Sequence, residues 1–154
     1  VTLENGNVAN ASDMIANIIA SKTAFALINQ KVEFKGNLYF ATGYFYKTTD
    51  MKTAERINVG DKTAVYDIKV IDNVMYILCS ERITKEDSSE EFRISVKRSM
   101  DGIEFEEMFS FTYPVRALSF TYANEHFYFG MGYGIRAKQL YDENGMVLSV
   151  KNPL

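Results

Sequence analysis

Val32-Glu33-Phe34-Lys35-Gly36-Asn37-Leu38-Tyr39-Phe40 sets the pattern from which the rest of the chain can be read. A short apolar run, a polar turn signalled by Gly36-Asn37 and an aromatic run together read as a tight β-hairpin. The outline returns at Ile68-Lys69-Val70-Ile71-Asp72-Asn73-Val74-Met75-Tyr76-Ile77, and again at Ser119-Phe120-Thr121-Tyr122-Ala123-Asn124-Glu125-His126-Phe127-Tyr128-Phe129. Tyr39, Tyr76 and Tyr128 hold the same place in each copy, at spacings of 37 and 52 residues. The longer spacing contains the charged run at residues 81–91, which reads as a solvated hairpin loop. That run lacks the alternating carboxylate spacing of a calcium loop.

Outward from these hairpins the pattern stays β. Residues 23–28, 44–47, 105–111, 135–141 and 146–150 are short apolar or alternating runs. At residues 92–99, Phe92, Ile94 and Val96 fall on one face and Arg93, Ser95 and Lys97 on the other. One helix is expected, with Ser12 as N-cap, Asp13 in the first turn, and Met14, Ile15, Ile18 and Ile19 on one face. The chain therefore divides into a polar N-terminal segment with a short helix, residues 1–22, and a β-domain, residues 23–154.

Composition narrows the function classes. Apolar residues at 47% and charged residues at 24% belong to a globular chain with one core. A net charge of −3 argues against nucleic acid as a partner, since phosphate binding needs a basic surface. One cysteine excludes an internal disulfide and a multi-cysteine zinc site. No run approaches the ~18 apolar residues of a membrane-spanning helix. Asn10-Ala11-Ser12 fits a glycosylation sequon.

Copies spaced near the ~40–50 residues of a four-stranded unit suggest a β-propeller of about three blades, with a β-sandwich or barrel as the alternative. Between the second and third copies, Ser99, Asp101, Gly102 and Phe105 resemble the Asp-box, or BNR, repeat of sialidase-like β-propellers, with the residue between Asp and Gly missing. Tyr46-Lys47-Thr48-Thr49-Asp50 is a degenerate echo without the Gly or the closing aromatic. The resemblance implies a partial propeller in which these residues mark hairpin turns away from any active site. Sialidase chemistry, as the family implies it, needs three arginines around a carboxylate. None of Arg56, Arg82, Arg93, Arg98, Arg116 or Arg136 sits in a matching motif, so no catalytic residue is carried over.

Other candidates have bland readings. Glu104, Glu106 and Glu107 have the residue type for two-carboxylate glycoside hydrolysis, but read as a solvated strand edge. His126, the only histidine, stands at a turn, and Cys79 lies inside an apolar strand. Gly130-Met131-Gly132-Tyr133-Gly134 fits no phosphate-loop spacing and reads as a turn or bulge. No cofactor is expected. Tyr44, Tyr46 and Tyr133 are the candidate binding residues, because tyrosines pointing away from a core can stack on a glycan or anchor an interface. The expectation is a non-catalytic interaction or structural module of a larger or oligomeric extracellular or virion protein, such as a phage tail or receptor-binding component. A glycan-binding or glycoside-hydrolase propeller fragment is the alternative. The expected partners are further blades of a parent chain or a second copy, with a glycan as the further class.

Overall fold

The computed structural model describes residues 30–41, 43–132 and 146–154. Among them every regular element is a strand: β1 (Lys31–Phe34), β2 (Asn37–Ala41), β3 (Phe45–Thr48), β4 (Glu55–Ile57), β5 (Thr63–Ile71), β6 (Val74–Thr84), β7 (Glu90–Ser99), β8 (Glu106–Tyr113), β9 (Arg116–Ala123), β10 (His126–Gly132) and β11 (Val147–Lys151). They form three antiparallel sheets ordered β1-β2-β3-β4, β5-β6-β7-β8 and β11-β10-β9, so the domain is all-β. The expected helix after Ser12, the division at residues 22 and 23, and the runs at 23–28 and 135–141 lie outside the described residues.

Each sheet opens with the same hairpin. Lys35 and Gly36 have φ of 52° and 79°, Asp72 and Asn73 50° and 62°, Asn124 and Glu125 50° and 63°. Two left-handed residues joining antiparallel strands make a type I′ turn, whose twist suits the strands it connects. The first turn is thus Lys35-Gly36, one residue earlier than the Gly36-Asn37 signal suggested. Tyr39, Tyr76 and Tyr128 each stand three residues past their turn, on the second strand of each sheet.

Alternation along the strands builds two cores, one on each face of the middle sheet, rather than the single core expected from composition. Met75, Ile77 and Cys79 of β6 pack with Phe34, Tyr39, Ala41 and Phe45 of the first sheet. On the opposite face, Leu78 of β6 and Phe92, Ile94 and Val96 of β7 pack with Phe120, Phe127, Phe129 and Met131 of the third. Burying each of the Val, Leu, Ile, Phe and Met side chains among these contributes roughly 1.5–3 kcal/mol, so the middle sheet depends on both neighbours. The sheets approach one another through their early strands: β1 and β2 lie against β5, and β5, β6 and β7 lie against β9. At the first of these approaches Val65 N–H donates to Gly43 O at 2.9 Å.

Two segments differ from expectation. Residues 81–91 are mostly strand and not loop, because β6 runs to Thr84 and β7 begins at Glu90. Their charges pair across the ladder, Arg82 with Glu90 at 3.6 Å and Lys85 with Glu91 at 3.1 Å, leaving only residues 85–89 as the connection. The long repeat spacing therefore comes from a longer β6–β7 hairpin. Second, β4 had no apolar signal: among the described residues it is a three-residue edge strand with Glu55 and Arg56 exposed, a composition that discourages edge-to-edge pairing.

Candidate functional site

The turn from β7 to β8 is held by Ser99 and Asp101. Ser99 Oγ accepts the Gly102 N–H at 2.8 Å and donates to Asp101 Oδ1 at 3.1 Å. Asp101 Oδ1 also accepts the N–H groups of Ile103 at 2.8 Å and Glu104 at 2.9 Å. These backbone bonds hold the carboxyl below the ordinary carboxylate range. Phe105 then packs edge-on against Phe45 of the first sheet, with ring centroids 5.6 Å apart.

The turn from β3 to β4 repeats this network. Thr48 Oγ1 accepts the Met51 N–H at 3.1 Å, and Asp50 Oδ1 accepts those of Lys52 at 2.8 Å and Thr53 at 2.9 Å. The backbone bonds lower the Asp50 carboxyl to about 2. Met51, at φ 60°, takes the conformation that Gly102 takes at 79°. Glycine is required only at the second site, where an added Cβ would lie 2.1 Å from Tyr39 Oη. The Tyr39 hydroxyl donates to Gly102 O at 3.2 Å, seating the second sheet's turn on the first sheet's tyrosine. The sequence echo at Thr48 and Asp50 was thus nearer to the full motif than its missing glycine implied.

Each turn also closes on an ion pair between the third and fourth strands. Lys47 faces Glu55 at 3.5 Å, and Arg98 pairs with Glu106 at the equivalent register. A hollow of about 320 Å³ beside Asp101 and another of about 230 Å³ beside Asp50 are lined by matching positions. A hollow that recurs with the turn is a by-product of its geometry, not a feature built for one ligand.

The two described candidate tyrosines, Tyr44 and Tyr46, differ in exposure. Tyr44 is 48% exposed, and the Arg56 guanidinium lies 4.0 Å from its ring centre, a cation–π contact. Tyr46 is fully buried and stacked on Phe40 at 5.4 Å, so it offers no ring face to a ligand. Among the described residues its hydroxyl has no hydrogen-bond partner, and burial raises its pKa against the lowering effect of Arg56. Two successive strand residues buried on opposite faces, Phe45 and Tyr46, defeat the simple alternation on which the expectation of exposure rested. Tyr133 lies outside the described residues.

The other residues singled out in the sequence take these places. Glu107 pairs with Arg93 at 2.8 Å and Glu106 with Arg98, while Glu104 sits in the turn before β8. His126 Nδ1 lies 2.8 Å from Asn124 O at the third type I′ turn. Cys79 is buried, which pushes its thiol up to about 12. Gly130 and Met131 flank a register shift between β9 and β10, so part of the glycine-rich run is a bulge. No group of three or more His, Cys, Asp or Glu side chains among the described residues is placed to hold a metal ion. No helix among them is long and apolar enough to cross a membrane.

Asp67 is the buried polar residue that sequence reasoning missed. It stands just past a bulge in β5, and Oδ2 accepts the Phe120 N–H of β9 at 3.1 Å. An acid inside an apolar run was the available signal. Compared with protein-family models, curated proteins and solved structures, the chain matches none.

Proposed function

We propose that this chain is a non-catalytic structural and interaction module, its three sheets serving as successive blades of a β-propeller that belongs to a larger or self-assembled protein. The observation that carries the reading is the repetition of one unit. Consecutive antiparallel sheets each open with a type I′ hairpin, pack face to face and approach through their early strands. The Thr48–Asp50 and Ser99–Asp101 turns, both between third and fourth strands, support it independently. The pairing of Glu106 and Glu107 with arginines favours a scaffold over acid–base chemistry.

Propellers close with roughly four to eight blades, so three would need a complement. Tyr39 and Tyr76 are packed by the sheet that follows each of them, and Tyr128 holds the same register on the third. Multi-angle light scattering with small-angle X-ray scattering on the 154-residue chain tests this. The expected result is a disc-shaped assembly of more than one 17.6 kDa copy. A folded monomer at every concentration overturns it.

A further inference from the structure

The first two sheets each carry a fourth strand, whereas the third, among the described residues, stops at its third strand, β11. The registers align the three sheets. Leu38 faces Thr48, Met75 faces Ser99 and Phe127 faces Val150, each pair beginning two residues past its type I′ turn. Asn152 therefore stands at the place of Asp50 and Asp101. Its Oδ1 accepts the Leu154 N–H at 3.1 Å, the bond that Asp50 makes to Lys52 and Asp101 to Ile103. Two neighbours differ together: Val150 lacks the hydroxyl, and Pro153 lacks the N–H that a hydroxyl would accept. Pro153 also fixes φ near −65°, so this segment lacks the left-handed residue of the other two.

Among the described residues, no strand pairs with the outer edge of β11. Met131 N–H donates to Met146 O at 2.8 Å, and Asn152 N–H to Glu125 O at 2.7 Å. Alternation along an antiparallel ladder then points the N–H and C=O groups of Val147, Ser149 and Lys151 away from β10. Val147, Leu148 and Ser149 match the residues of β3 that meet β4, Phe45, Tyr46 and Lys47. Val147 is 64% exposed, and no bulge separates β11 from β10.

We infer that the outer edge of β11 is a docking site for a fourth antiparallel β-strand, delivered by polypeptide joined at Leu154, just past the Asn152–Leu154 hydrogen bond. In both complete sheets the fourth strand starts five residues after the turn aspartate, at Glu55 and at Glu106. The same count from Asn152 brings an incoming strand opposite Ser149. The inference rests on register and turn bonding, not on how the sheets are arranged about an axis, so it and the propeller reading can fail separately.

The experiment appends a copy of residues 104–111 directly after Leu154 and follows amide hydrogen exchange. In the 154-residue chain the amides of Val147 and Ser149, the positions matching Phe45 and Lys47, should exchange rapidly. In the extended chain they should become protected and the thermal midpoint should rise. An extension with proline at alternate positions should do neither, and Asn152→Ala in the extended chain should weaken the protection. Three outcomes overturn the inference: exposed amides in the extended chain, protection already present without the extension, or protection that grows with concentration of the unextended chain, which would assign the edge to a second copy. The readout is local to β11, so it stands apart from the assembly mass measured by scattering.

Discussion

The buried carboxylate of Asp67 accepts the main-chain N–H of Phe120 at 3.1 Å, tying the first strand of the middle sheet to the first strand of the third. The same carboxylate accepts the Ile68 N–H at 2.9 Å and faces the Lys69 ammonium at 3.6 Å. β9 is an edge strand among the described residues, so this N–H has no neighbouring strand to bond. Asp67→Ala should destabilise the fold by about 1–3 kcal/mol, the cost of leaving a buried donor unpaired. Asp67→Asn keeps one acceptor oxygen and should lose less. Urea denaturation of both variants checks the order, and an alanine variant as stable as the parent contradicts the bridge.

Ser99 and Thr48 make equivalent bonds, so their removal should cost similar amounts. Ser99→Ala and Thr48→Ala should each destabilise by about 1–2 kcal/mol, as for lost capping hydroxyls. Gly102→Ala should be worse than either, because the new methyl meets Tyr39 Oη while the backbone stays left-handed. Met51→Gly should be tolerated. Thermal melts of the four variants give the ranking.

Acid should loosen the turns before the cores. The carboxyls of Asp50, Asp87 and Asp101 all titrate lower in the folded chain than the ordinary 3.8, each through hydrogen bonds it accepts. A carboxyl lowered by folding contributes stability above its unfolded pKa and loses it as pH falls through the folded value. The loss should run from about pH 4 down to about 2, the value for Asp50. Asp50→Asn with Asp101→Asn should flatten that part of the melting-temperature profile, and an unchanged acid slope would sink the assignment.

Cys79 should be chemically silent while the chain is folded. Burial holds its thiol near 12, so almost no thiolate exists at pH 8. Thiol labelling with a disulfide reagent should be absent in buffer and complete in denaturant. Rapid labelling of the folded chain would show that the first core opens.

The hairpins at Lys35, Asp72 and Asn124 were legible because turn residues and aromatic runs are local signals. The β6–β7 extension was not, because Arg82 and Glu90 look like loop residues until a partner strand lies opposite them. Met51 hid the second turn, since sequence gives little warning that a methionine will adopt φ 60°. Ser99, Asp101, Gly102 and Phe105 came together because their spacing is short. Tyr46 misled because its burial depends on packing beyond its own strand, and Asp67 meets Phe120 only after two sheets have formed.

Every extended ladder in the described fold joins strands that are neighbours along the chain. Few loops of great length must close before pairing begins, and loop closure is what slows most all-β proteins. Each hairpin is able to form on its own timescale, on the order of microseconds, before the sheets meet. The slow step should then be docking of the middle sheet between its neighbours. Shortening the apolar side chains that face it should retard refolding more than changes within any turn, a contrast that stopped-flow fluorescence of the tyrosines would register.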